Sequence, residues 1–272
     1  MKLIDTHLHL SASDYKDDLQ EVIERAKSSG VEYMITIGSG YGAENYRDAI
    51  SISERYNLFF AVGVHPHDAD LGFKNGFSVR DYELRLEWII RDIREVSSHK
   101  GMVGIGEIGL DFYYDHSPRD IQKRTFLRFL ELAIELDKPV IIHSRDSFED
   151  TIGIIREFAG RGLRGVFHCF SGDVEQAGVV LDLGFYISIP GIVTFKKAET
   201  MREVARYIPE DRLLIETDAP FLAPVPYRGK RNEPSYILET YKAVAGIRGM
   251  SIDLLAERVI MNSFECFNIR GD

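Results

Sequence analysis

Leu3-Ile4-Asp5-Thr6-His7-Leu8-His9 is the stretch on which the fold turns. A short apolar run opens it and a His-x-His pair closes it. Residues i and i+2 of a strand face the same way, so both imidazoles point to one side. The same design, an apolar run with a polar residue at its end, recurs along the chain. Runs at Leu3–Thr6, Tyr33–Ile37, Leu58–Val64, Met102–Glu107, Pro139–His143, Gly165–Cys169, Phe185–Ile189 and Arg212–Glu216 read as eight strands. Strands covered on both faces are continuously apolar, as parallel strands under helices are. The segments between them carry helical spacing. Leu19, Val22, Ile23 and Ala26 share a face, as do Leu86, Ile89, Ile90 and Ile93, and Phe126, Phe129, Leu130 and Ala133. Eight strand–helix alternations predict an α/β protein of the (β/α)8 TIM-barrel class, which needs roughly 250 residues. A doubly wound open sheet is the weaker alternative, because no G-x-G-x-x-G follows the first strand.

The 272 residues, 44% of them hydrophobic, suffice for a single core. No internal repeat, low-complexity tract or linker interrupts them, so 1–272 is expected to be one domain. Gly72–Ser78 reads as a surface loop and Tyr227–Pro234 as a polar loop after the eighth strand. The net charge of −10 argues against a chain that coats itself in nucleic acid, though not against a small basic site beside a metal. Two cysteines, Cys169 and Cys266, cannot build a disulfide framework or a cysteine-rich zinc module. Cys169, next to His168, is expected to point into the helix layer as a small packed residue. With no signal-like stretch and no run near 18 apolar residues, a reduced, cytoplasmic setting away from membranes is expected. No obligate protein partner is evident.

Residues able to bind metal cluster at the ends of the apolar runs: His7 and His9 on the first, Glu107 on the fourth, His143 on the fifth, His168 on the sixth and Asp218 on the eighth. In a barrel these converge on the C-terminal face, where barrel enzymes place their chemistry. Taken singly, each has an ordinary structural explanation: a hydrogen-bonded core histidine, a barrel ion pair, a helix cap. Taken jointly, four histidines and two carboxylates are costly to bury without compensation, and metal coordination supplies it. Six ligands exceed one tetrahedral site and suit two divalent ions sharing a carboxylate, with Glu107 as the shared group. Histidine-rich ligation favours Zn²⁺ or Mn²⁺, and carboxylate with water favours Mg²⁺.

The sequence resembles the TatD family of metal-dependent deoxyribonucleases, within the amidohydrolase superfamily. The resemblance rests on Ile4-Asp5-Thr6-His7-Leu8-His9, Gly63-Val64-His65-Pro66-His67, Gly104 to Asp111, Ile142-His143-Ser144-Arg145, Phe167 to Gly172, Glu216-Thr217-Asp218-Ala219-Pro220 and Arg228 to Pro234, nearly end to end. It implies the same six metal ligands, activity with Mg²⁺ or Mn²⁺, and hydrolysis of DNA, often as a 3′ exonuclease linked to repair. Tyr113–Asp115 and Gly72–Ser78 look individual to this chain.

The expected mechanism uses a metal-activated water, with Asp218 orienting it and accepting its proton. His65, at the end of the third strand, is expected to donate to a phosphate oxygen or help protonate the leaving group; His67 stands beside it without a settled role. Arg228, Lys230 and Arg231 form a basic cluster suited to phosphate, and Lys196 and Lys197 could assist. Tyr113 and Tyr114 either stack on a base or are ordinary surface aromatics. The competing reading is a two-metal amidohydrolase or esterase acting on a small amide, lactone or ester. Many members of that superfamily carry a carboxylated lysine where Glu107 stands, which favours DNA as the substrate. A binding protein on a dead barrel is the third reading, and an intact ligand set argues against it.

Overall fold

A computed structural model describes residues 1–40, 43–73 and 78–270. Its elements alternate as β1 (Leu3–Leu8), α1 (Leu19–Ser28), β2 (Val31–Ser39), α2 (Ala43–Tyr56), β3 (Phe59–Gly63), α3 (Val79–Val96), β4 (Met102–Asp111) and α4 (Arg119–Glu135). They continue as β5 (Val140–Arg145), α5 (Phe148–Arg156), β6 (Gly165–Phe167), α6 (Val174–Asp182), β7 (Tyr186–Ile189), α7 (Glu199–Tyr207), β8 (Leu213–Ile215), α8 (Ile237–Arg248) and α9 (Ile252–Cys266). The strands form one eight-stranded parallel sheet in chain order, a (β/α)8 barrel. Among the described residues no helix is long and apolar enough to cross a membrane.

The helices form where the apolar spacing placed them. In α3 the side chains of Leu86, Ile89, Ile90 and Ile93 are all buried, and Ser78 caps the first turn by accepting from the Asp81 N–H at 3.1 Å. In α4 the buried face carries Phe126, Phe129, Leu130 and Ala133. Each buried Leu, Ile or Phe of these faces contributes roughly 1.5–3 kcal/mol on burial. Of the expected loop Gly72–Ser78, residues 74–77 lie outside the described residues.

Two compact units make up the chain: Met1–Thr36 with Val166–Asp272, and Ile37–Gly165. In the first, β1 pairs with β2 through Asp5↔Met34 and Leu8↔Thr36, and β7 pairs with β8 through Ser188↔Leu214. A parallel bridge between Leu8 and Ala219 ties the loop after β8 to the end of β1. In the second, β3, β4 and β5 form a continuous ladder whose last rungs are Gly109↔His143 and Asp111↔Arg145.

Strand limits depart from the sequence reading at the site. β4 was expected to stop at Glu107 but runs to Asp111, buried along its whole length, so Glu107 lies inside the strand. The ladder with β5 shifts register between Gly106 and Ile108 and then resumes. Gly109 makes this possible: at φ +142°, a Cβ there would collide with the His143 carbonyl. β6 stops at Phe167, so His168 and Cys169 lie beyond it. Cys169 sits at φ +44° and is half-buried. Strand alternation therefore does not govern its direction, and the expectation that it points into the helix layer for that reason is corrected.

Candidate metal centre

In the first unit, β1 carries Asp5 and His7 at alternate positions, with His9 two residues on, just past the strand. His7 is fully buried, and its Nε2 lies 3.3 Å from that of His9. Asp218 reaches them because the chain after β8 folds back on β1. The Asp218 N–H donates to the His7 carbonyl at 2.9 Å and the His9 N–H donates to the Ala219 carbonyl at 2.7 Å. Asp218 adopts φ +57°, a left-handed conformation that aspartate tolerates better than most residues. Its Oδ1 stands 3.4 Å from His9 Nε2 and 3.8 Å from His7 Nε2. Burial raises the Asp218 pKa, but the His9 contact and the charges of His7, His9 and His168 outweigh it and hold the carboxyl below its usual range. The His168 ring stacks on His7 with centroids 3.9 Å apart.

Two further carboxylates support this cluster. Asp5 is fully buried; it accepts from the Thr217 hydroxyl at 2.6 Å, the Thr217 N–H at 3.0 Å and the His7 N–H at 3.3 Å. It thereby clamps the Asp218 loop to β1. Burial pushes its pKa up to about 8, against the opposing pull of those bonds. Glu216, also fully buried, accepts from the Cys169 N–H at 2.6 Å, and its Oε1 lies 3.4 Å from His168 Nδ1. Its Oε2 has no hydrogen-bond partner among the described residues.

In the second unit, Glu107 Oε1 is shared between His143 Nδ1 at 2.8 Å and His65 Nε2 at 3.2 Å. His65 Nδ1 accepts from the His67 N–H at 3.1 Å, so a neutral His65 carries its proton on Nε2 and gives it to Glu107. Burial lowers the His65 pKa to about 4, despite the pull of Glu107 in the other direction. On its other side, His143 presents Nε2 to Asp111 Oδ2 at 3.0 Å. Asp111 is fully buried; the same oxygen meets His67 Nε2 at 2.9 Å, and Oδ1 accepts from the N–H groups of Tyr113 and Tyr114 at 3.1 and 2.8 Å. Burial acts to raise the Asp111 pKa, but these bonds prevail and hold it far below the usual carboxylate range.

This chemistry fits divalent cations. His7, His168 and Glu216 bring donor atoms within 4.8 Å of one another, as do His65, Glu107 and His143. His143 lies between two carboxylates. A neutral imidazole has one N–H, so one of its nitrogens turns a lone pair toward a carboxylate oxygen, an arrangement that needs a proton or a cation between them. The buried Glu216 oxygen without a partner points the same way.

Of the expected ligands, His7, His9, His168 and Asp218 are brought together in the first unit, and Glu107 and His143 in the second, with His65 beside them. Asp5, Asp111 and Glu216 were not singled out. Strand alternation signals Asp5, which precedes His7 by two on β1. Asp111 shares β4 with Glu107 only because the strand continues past a register shift, and Glu216 and Asp218 lie beyond β8, where alternation does not apply. The basic cluster does not act as one group. Arg231 binds Asp18 through both terminal nitrogens, at 2.7 and 2.6 Å, and also donates to the Asp14 carbonyl. Arg228 lies exposed over the Phe195 ring and Lys230 near the Tyr227 ring. Lys196 and Lys197 are exposed after β7.

A family model described as TatD related DNase matches residues 4–268. The chain belongs to the TatD family. It is 42% identical over 268 residues to the uncharacterized metal-dependent hydrolase YabD of Bacillus subtilis, covering 98% of this chain and 99% of that one. The 3′-5′ ssDNA/RNA exonuclease TatD of Pantoea ananatis is 30% identical over 275 residues, covering 98% and 100%. Among solved structures, YjjV, a TatD homologue from Escherichia coli K12, superposes with a TM-score of 0.86 at 28% identity, covering 98% of each chain. As a TatD-family protein the chain is a metal-dependent hydrolase.

Proposed function

We propose that this TatD-family chain hydrolyses phosphodiester bonds of DNA, working as an exonuclease on single-stranded or frayed ends with two divalent metal ions. The observation that carries the reading is the buried Glu107 carboxylate held between His65 and His143, in a chain with a full-length relative named as a single-strand exonuclease. His7, His9 and Asp218 would hold one ion, and His143 and His168 the other, with Glu107 serving both. Mg²⁺, Mn²⁺ and Zn²⁺ all suit such mixed donors. Bound there, the ions supply Lewis acidity, lowering the pKa of water and offsetting charge on the phosphate.

The chain's own groups supply the rest. Asp218, kept ionised by its histidine neighbours, orients the attacking water and takes its proton. The His65 Nε2–H now points at Glu107, since its Nδ1 accepts from the His67 N–H; with Glu107 engaged by the ions, that N–H would be released to donate to a phosphate oxygen or the leaving group. Arg228 and Lys230, which no carboxylate pairs among the described residues, are the contacts for flanking phosphates. Arg231 orders their loop through Asp18. With a net charge of −10, few phosphates are neutralised, so binding is weak and independent of sequence. Repair of damaged DNA is the setting proposed for this activity.

A defined single strand of DNA, tested with each metal against a panel of small amides, lactones and esters, decides the substrate class. The proposal expects nucleotides to be released from the strand. Turnover of a small ester or lactone with an intact strand would replace it by the small-substrate reading.

A further inference from the structure

Tyr113 and Tyr114 leave an unusual amount of aromatic surface in water, at 58% and 50% exposed. Their position is nonetheless fixed from several sides. Asp111 Oδ1 takes both backbone N–H groups. The Arg145 guanidinium lies over both rings, 4.2 Å from the centre of Tyr113 and 4.7 Å from that of Tyr114. The two rings meet edge to face at 4.9 Å. Tyr114 also lies nearly parallel to His116, 5.7 Å away, and edge-on to His67 at 5.3 Å. Among the described residues no carboxylate pairs with Arg145, so the rings are its partners.

Rigid aromatic faces, exposed and already ordered, are what an unpaired base needs for stacking, because little conformational freedom remains to be lost. Their place is equally informative. Asp111, which pins the tyrosine backbone with one oxygen, holds His143 and His67 with the other. His143 in turn contacts Glu107. A single buried carboxylate thus sets the register between the exposed rings and the candidate metal ligands of the second unit. A strand lying at those ligands would bring a neighbouring base over the tyrosines.

Resting on the nuclease reading above, we propose that Tyr113 and Tyr114, braced by Arg145 and Asp111, form a stacking subsite for an unpaired nucleobase next to the bond being hydrolysed.

The test uses the metal-loaded full chain and short single DNA strands in which one nucleotide at a time, counted from the end, is either 2-aminopurine or an abasic residue. Stacking quenches 2-aminopurine emission. The expected result is quenching at one position, and a preference in KM for a base over an abasic residue at that same position. Replacing both tyrosines with alanine should abolish the quenching and narrow that preference about tenfold, the worth of one base–aromatic stack. Replacing both with phenylalanine should restore both signals. Strand cleavage with no position-dependent quenching, or a preference untouched by the alanine changes, overturns the subsite and leaves the nuclease reading standing. A strand that is neither bound nor cleaved removes the nuclease reading and the subsite with it.

Discussion

The two candidate clusters, one in each unit, are built by different means. In the first unit the cluster of His7, His9, His168 and Asp218 lies at or beyond strand ends, and its geometry depends on a loop after β8 that Asp5 and the Leu8–Ala219 bridge hold against β1. In the second unit, Glu107 sits inside a ten-residue buried strand, and Asp111, farther along that strand, fixes the histidine that Glu107 meets. The loop-borne cluster presents its Asp218 carboxylate partly to solvent. The strand-borne one keeps Glu107 and Asp111 almost wholly buried. A group that must meet water and change protonation belongs in the first setting, and a group that must stay put belongs in the second.

The sharpest test of this contrast is to remove Glu107 itself. Glu107→Ala should strip both ions and reduce turnover to background, whereas an account in which each cluster holds its ion alone expects one ion to remain; metal analysis of the purified chains separates them. Next in size is Asp218→Asn, which should fold normally and lose about 10²–10⁴ in kcat, the range for a general base. Near-normal turnover at saturating metal would remove Asp218 as the proton acceptor. Asp111→Asn and Glu216→Gln probe the outer carboxylates of the two units. Each should weaken metal affinity by about 10–100-fold, read by competition with a chelator. Equal metal affinity in variant and parent would reduce either residue to a packing role. The smallest effect is expected at the basic loop. Arg228→Ala with Lys230→Ala should weaken strand binding and flatten its salt slope by about one to two phosphates, with metal content unchanged. Arg231→Ala should instead loosen the loop, because its guanidinium is committed to Asp18.

The sequence made the barrel legible because each buried strand is a continuous apolar run and each helix shows a clean apolar face, as Leu86 to Ile93 illustrate. It also disclosed His7, His9, His143, His168 and Asp218, polar residues interrupting that pattern. What escaped was whatever depends on where strands stop. Glu107 looked terminal because Gly109 and the shifted register let β4 continue past it. Asp111 lies beyond the expected end of β4, yet it meets the same His143 ring as Glu107. Asp5 lies inside β1 and Glu216 just past β8, each between an isoleucine and a threonine, and only their bonds to Thr217 and Cys169 reveal them as supports. The grouping of Arg228, Lys230 and Arg231 was local in sequence but not in partners, since salt bridges form across the fold and composition does not choose them.

The most direct test of the account is a time course on an end-labelled single DNA strand with the chain first stripped of metal and then given back Mg²⁺, Mn²⁺ or Zn²⁺. The account predicts no cleavage in the stripped state, and progressive shortening from one end after metal is restored. Cleavage that persists without metal, or internal cuts with both ends intact, would contradict it.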